Sequence, residues 1–157
     1  MQLTLKKPAK KPENFQKNEK SPLILAPRAL FLGVGCRKNI SLENLEEIYF
    51  ELLEKAGLFP ESVKMAASVN LKGSEPGLLA FCEKYRLPFR TFTPEELSAV
   101  EGDFTPSEFV KKTTGVDNIC QRAAVLASGG TLLTPKYAKN GVTMALAVGN
   151  VTLKWRK

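Results

Sequence analysis

The run Ala29-Leu30-Phe31-Leu32-Gly33-Val34-Gly35 offers no polar face. A strand of this kind must be covered on both sides, which implies a sheet with helices above and below it. The residues that follow supply the first cover. Ser41 is placed to cap a helix starting at Leu42, with Glu43, Glu46 and Glu47 near its positive end. Leu42, Leu45, Ile48, Tyr49, Leu52, Leu53 and Ala56 recur at three- and four-residue spacing as one buried stripe. Gly57 is a suitable terminator.

The same alternation continues. Val63 to Val69 predicts a second strand, Gly73 to Gly77 a loop, Leu78 to Tyr85 a short helix, and Pro88 to Phe92 a third strand. Thr93-Pro94-Glu95-Glu96 has the cap, the N1 proline and the first-turn acids of a new helix, and Thr105-Pro106-Ser107-Glu108 repeats that grammar before Phe109 and Val110. Asn118, or Asp117 before it, caps a further helix through Cys120, Ala123, Ala124 and Ala127. The period then shortens. Leu132 to Thr134 and Val142 to Val148 are β-rich, Asn140-Gly141 is a hairpin signal, and Pro135 suits an edge strand. In the last strand Val142, Met144, Leu146 and Val148 alternate with Thr143, Ala145 and Ala147, giving one bulky and one small face. The sum is an α/β fold, three layers α/β/α with a mixed sheet.

With 157 residues, of which 43% are apolar and 25% charged, the chain can form one domain burying roughly 70% of its unfolded surface. Its net charge of +7 raises the question of nucleic acid. The charge is concentrated at the ends: residues 1–28 carry +5, residues 151–157 carry +3, and the stretch between carries −1. A nucleic-acid footprint needs a basic stripe on the folded face with interleaved aromatics, and none is visible. The organisation expected is a flexible basic arm over 1–28, a domain over 29–150 and a basic tail over 151–157. Lys6, Lys7, Lys10, Lys11, Lys17 and Lys20 repel one another in the arm, and Pro8, Pro12, Pro22 and Pro27 break any helix there. The longest apolar stretches are too short to cross a bilayer, and the amino terminus lacks the apolar core of a secretory signal, so neither a membrane nor export is expected.

Histidine is absent. That excludes Ser-His-Asp triads, Cys-His dyads, histidine-bearing zinc sites and proximal-histidine haem ligation. Cys36, Cys82 and Cys120 lie far apart with no CxxC pair, so neither a metal cage nor a redox dithiol is expected, and reduced thiols in a cytoplasm are. No metal and no cofactor is expected.

The segment with most chemical content is Gly33-Val34-Gly35-Cys36-Arg37-Lys38-Asn39-Ile40-Ser41, between the first strand and the first helix. Two glycines allow close backbone approach, the helix start offers unpaired N–H groups, and Arg37 and Lys38 add charge, so this is an anion-receiving loop. It lacks the third glycine of a dinucleotide fingerprint, and no GK[ST] follows. The plainer alternative is a tight turn with solvated basic residues. Cys36 lies where a helix start and two cations favour a thiolate, but with no histidine to act as base the default is a structural thiol. Lys111-Lys112 and Lys136 with Lys139 are further basic pairs, and Glu75, Glu101, Asp103 and Asp117 are loop carboxylates able to act as acid or base, although spacing pairs none of them.

Taken together, Gly33-Val34-Gly35-Cys36-Arg37, Ser68-Val69-Asn70-Leu71-Lys72, Glu75-Pro76-Gly77-Leu78, Phe92 to Leu97, Ser107-Glu108-Phe109-Val110, Gly115-Val116-Asp117-Asn118-Ile119-Cys120 with Ala123-Ala124, and Pro135-Lys136 before Gly141-Val142-Thr143 resemble the CobE and CbiG C-terminal domain family of cobalamin biosynthesis. The resemblance covers about residues 29–150 in one unbroken order. It departs at Asn39, where the family usually has Gly, and at Gln121, where it usually has Glu.

The resemblance implies corrin-ring construction. CbiG-type proteins are associated with opening the lactone of cobalt-precorrin-5A and losing a two-carbon aldehyde, and such a substrate bears many acetate and propionate groups. Gly33, Gly35, Cys36, Arg37 and Lys38 of the anion loop, with Ser68, Lys72, Ser107 and Gly115 from the matching motifs, are the expected substrate-binding residues; no catalytic residue is assigned. A complete CbiG-type protein carries further sequence before this domain, so the expectation is either a stand-alone CobE-like protein or the C-terminal part of a split CbiG, binding a cobalt-precorrin in the hydrolase step. The alternative is a non-catalytic carrier or interaction module that recruits another cobalamin-pathway protein. Nucleic-acid binding ranks behind both.

Overall fold

Hydrogen bonding along both edges of the first apolar run organises everything else. In a computed structural model, which describes residues 2–3, 24–25, 28–104 and 116–149, that run forms β3 (Leu30–Cys36), after two short strands, β1 (Gln2–Leu3) and β2 (Ile24–Leu25), that pair with each other in parallel. The other residues of the expected arm and tail lie outside the described residues, as do Ser107, Gly115 and the helix expected through Phe109 and Val110.

The helix α1 (Leu42–Ala56) starts and stops where its caps dictate. The Ser41 side chain accepts from the Asn44 N–H at 3.2 Å, and Gly57 ends the helix in the left-handed region at φ 66°. Strand β4 (Val63–Val69) then pairs in parallel with β3, and β5 (Phe89–Phe92) in parallel with β4. Helix α2 (Pro76–Lys84) begins two residues before the expected Leu78, because Pro76 and its preset φ start the first turn. Helix α3 (Pro94–Ser98) carries a complete capping box between Thr93 and Glu96. Helix α4 (Ile119–Ser128) is capped by Asn118, whose side chain accepts from the Gln121 N–H at 3.0 Å.

The closing strands are β6 (Thr131–Leu132), β7 (Tyr137–Lys139) and β8 (Val142–Val148). The expected strand over Leu132 to Thr134 ends at Leu132. The N–H groups of Leu133 and Thr134 share the Leu146 carbonyl, so the edge bulges there before Pro135. Asn140 and Gly141 both adopt positive φ (51° and 78°), the geometry of a tight two-residue hairpin. The sheet order is β5-β4-β3-β8-β6, with β7 also on β8. It is mixed: β3, β4 and β5 are parallel, and β8 is antiparallel to β3.

The two faces pack differently. Leu30, Leu32, Val34, Met144 and Leu146 meet the stripe of α1 and the Leu78 and Phe81 side chains of α2, with Tyr49 edge-on to Phe81 at 5.1 Å. Each such side chain contributes roughly 1.5–3 kcal/mol on burial. The opposite face presents Gly33, Ala67 and Ala145 to α4, whose own inward residues are Cys120, Ala123 and Ala124. Small residues on both sides let the helix backbone lie directly on the sheet. A Cβ on Gly33 would sit 1.6 Å from the Cys120 carbonyl oxygen.

Candidate functional site

The carboxyl ends of the parallel strands β3 and β4 and the start of α4 come together at one end of the sheet, its mouth, the end at which α/β sheets usually hold ligands. The bend after β3 forms one wall. The Arg37 N–H donates to the Gly141 carbonyl at 3.0 Å, and the Arg37 side chain lies across the hairpin turn, its Cδ 2.7 Å from where a Gly141 Cβ would be. Asn39 adopts φ 58°, and its N–H donates to a Glu75 carboxylate oxygen. The Ile40 carbonyl presses on the start of α2, 2.1 Å from where a Gly77 Cβ would stand. Arg37 and Lys38 remain exposed.

The turn after β4, Asn70–Lys72, forms the second wall. Lys72 and Glu75 both act on the Cys36 thiol, one lowering and the other raising its pKa, but burial dominates and pushes it up to about 11. Between Asn70 and Lys72 stands Leu71, 61% exposed, the most exposed large apolar side chain among the described residues.

The start of α4 is the third wall. Asn118 and Gln121 are buried and bonded to each other, Asn118 Nδ2 donating to Gln121 Oε1 at 2.5 Å. The Cys120 thiol reaches Thr143 and Asn118 Oδ1, and Lys136 is close enough to lower its pKa, although burial still carries it up to about 11. Asp117 is held by Arg122 at 2.9 Å, and Arg122 also donates to the Leu97 and Val100 carbonyls, fixing α4 to α3. Among the described residues, Arg37, Lys38, Lys72 and Lys136 form no ion pair, whereas Lys139 is engaged by Glu47 and Glu51.

The expected site residues therefore separate. Cys36, Arg37, Lys38 and Lys72 converge on the mouth. Gly33 does not: β3 continues through Cys36 because that residue pairs with Val142, so Gly33 is a sheet residue whose missing side chain makes room for α4. Gly35 also lies in the ladder, opposite Thr143, where a Cβ would fall 2.5 Å from Thr143 Oγ1. Ser68 is fully buried and its hydroxyl donates to the Val34 carbonyl at 2.6 Å. Ser107 and Gly115 lie outside the described residues. The thiolate-favouring setting expected for Cys36 is also corrected, since the thiol ends a strand and is desolvated there. The Arg37 and Asn39 amides, expected to face a ligand, are both engaged.

Leu71, Lys136 and Thr143 stand inside the matching motifs but are not among the substrate-binding residues expected from the sequence. The small face of β8 was the available signal for Thr143, since it faces the same layer as Gly35. A shallow depression of about 350 Å³ lies elsewhere, between α3 and the carboxyl end of α4, with Glu96 the only charged residue lining it among the described residues. Among the described residues, no group of three or more Cys, Asp or Glu is placed to hold a metal ion, and no helix is long and apolar enough to cross a membrane.

These features define a class: a mixed-sheet α/β domain with exposed basic residues following the first of its parallel strands. The chain belongs to the family described as "Cobalamin synthesis G C-terminus", whose model matches residues 30–147. It is 39% identical over 126 residues to the cobalt-precorrin-5A hydrolase of Salmonella typhimurium, covering 80% of this chain and 36% of that protein. To Protein CobE of a Sinorhizobium species it is 29% identical over 135 residues, covering 84% and 87%. The crystal structure of CobE, a protein from the cobalamin (vitamin B12) biosynthetic pathway, superposes with a TM-score of 0.73 at 26% identity, covering 90% of this chain and all of that one. This chain thus spans about a third of the length of the hydrolases it matches and most of the length of CobE. The mixed-sheet α/β fold is that of the CobE and CbiG proteins.

Proposed function

We propose that this domain binds a cobalt-precorrin through its peripheral carboxylates and serves the lactone-opening step catalysed by cobalt-precorrin-5A hydrolases, in the cytoplasm. The observation that carries the reading is that Arg37 and Lys38 follow β3, Lys72 acts on Cys36 and Lys136 on Cys120, and none of the four is in an ion pair among the described residues of a member of this family. Exposed charge pairs contribute about 0.2–1 kcal/mol each, so four contribute on the order of 1–4 kcal/mol, roughly 5- to 1000-fold in affinity. Leu71 adds an apolar contact beside Lys72 for the face of a macrocycle. The cobalt belongs to the substrate.

In the overall reaction, water adds across the lactone C–O bond, giving a carboxylate and an alcohol; as the alcohol loses its proton, the bond between its carbon and the ring breaks, the electron pair stays on the macrocycle, and the two-carbon fragment departs as acetaldehyde. The new carboxylate would form near the same cations, which favours the ring-opened product. Glu75 is engaged by the Asn39 N–H and Asp117 by Arg122, so neither is assigned as acid or base.

A second reading is favoured by the near full-length match to CobE: a domain that holds or hands over the intermediate while another chain breaks the bond. Incubating the purified chain with cobalt-precorrin-5A and measuring acetaldehyde separates the two. Release by this chain alone places the hydrolysis in it; release only after a second pathway protein is added makes it the carrier. Failure of the chain to retain cobalt-precorrin-5A at all would overturn both.

A further inference from the structure

Glu75 is 9% exposed and occupies the N-cap position of α2, yet its side chain makes no capping bond to that helix. It reaches instead across 36 residues of sequence to the N–H of Asn39. Asn39 is at φ 58°, a left-handed conformation that asparagine adopts more readily than other side-chain-bearing residues but at more cost than glycine. The adjacent Ile40 carbonyl rests on Gly77, so the bend is seated on the first turn of α2 by one hydrogen bond and one close backbone contact. Arg37 and Lys38 are the residues immediately before that seat.

We infer that Glu75 is a positioning residue: by accepting from the Asn39 N–H it fixes the bend in the conformation that presents Arg37 and Lys38 to a polycarboxylate. This deepens the binding reading above and rests on it for its ligand. The inference carries an unusual sign. The Glu75 charge itself opposes an anionic ligand, so what helps binding is its oxygen as an acceptor and not its negative charge. A glutamine keeps an acceptor oxygen and removes the charge, whereas an alanine removes both.

The test compares wild type, Glu75→Gln, Glu75→Ala and the double variant Glu75→Ala with Asn39→Gly. The probe is uroporphyrin, an octacarboxylate tetrapyrrole, and hydrogen exchange of the Asn39 amide is read in parallel. Positioning predicts that Glu75→Ala weakens uroporphyrin binding about tenfold and raises Asn39 exchange by a similar factor. Glu75→Gln binds as well as wild type or better and keeps the amide protected. The double variant recovers binding, because glycine adopts the left-handed conformation without support. Equal Asn39 exchange in wild type and Glu75→Ala would overturn the inference, as would Glu75→Gln losing binding to the same extent as Glu75→Ala. Should wild type fail to bind the probe while Asn39 exchange still follows the predicted order, the positioning role stands and the binding reading falls.

Discussion

Replacing Gly33 by alanine decides whether the first glycine of the Gly33-Val34-Gly35 stretch serves a ligand or the fold. The added Cβ would lie 1.6 Å from the Cys120 carbonyl oxygen, 2.6 Å from its carbon and 2.9 Å from the Ala124 nitrogen. All three are backbone atoms of α4, so no side chain can rotate aside. To restore ordinary contact near 3.4 Å the helix must retreat by about 1.8 Å, and in doing so it pulls its own Ala123 and Ala124 away from the sheet. Overpacking that flexible neighbours absorb costs about 1–3 kcal/mol, so about 3 kcal/mol or more is expected here. For a chain of this size that lowers Tm by roughly 6–12 °C. Gly57→Ala is the control: nothing lies within 4 Å, and the left-handed φ of 66° alone costs about 1 kcal/mol. Thermal and urea unfolding followed by circular dichroism measure both. A Gly33→Ala protein that unfolds within a degree of wild type yet loses tetrapyrrole binding would refute the packing account and return Gly33 to the ligand.

Other consequences are equally direct. At pH 8 the Cys36 thiol, held at about 11 by burial, should react with iodoacetamide far more slowly than a free cysteine, and the rate should rise only as the pH approaches 11. The same shift is a stability statement: between about pH 9 and 11 unfolded thiols ionise while the folded Cys36, Cys82 and Cys120 stay protonated, so stability falls as pH rises through that window, measurable by urea midpoints at pH 8 and 10.5. Ser41→Ala removes the cap of α1 and should cost about 1 kcal/mol in the same unfolding assay, with tetrapyrrole affinity changed less than twofold. Leu71→Glu should weaken uroporphyrin binding at least fivefold without moving Tm, since the side chain is largely exposed and the new charge repels the ligand.

Local chemistry was the legible part of this sequence. Ser41, Thr93 and Asn118 cap helices as their types and positions predict, Gly57 ends one, and Asn140-Gly141 turns the closing hairpin. The alternation in β8 predicts one bulky and one small face; the structure puts α1 on the first and α4 on the second. What stayed hidden depends on register across long separations. Cys36 is strand and not loop because it pairs with Val142, more than a hundred residues later. Gly33 is a packing glycine because Cys120, also far off in sequence, lies on it. Once Gly33 is aligned with Ala145 and Gly35 with Thr143, the small face is evident, but nothing local supplies that alignment. The site was half legible for the same reason: Arg37 and Lys38 are neighbours in sequence, while Lys72 comes near Cys36, and Lys136 near Cys120, only through the fold.

The most direct test is to map where a carboxylate-rich tetrapyrrole touches the protein, by following amide resonances during a uroporphyrin titration at low and high salt. The account predicts shifts concentrated at Cys36 to Asn39, Asn70 to Lys72, Asn118 and Thr143, weakened by salt and by Arg37→Ala or Lys72→Ala. Shifts centred on Val100, Val125 and Leu126 beside α3, or none at millimolar ligand, would contradict it.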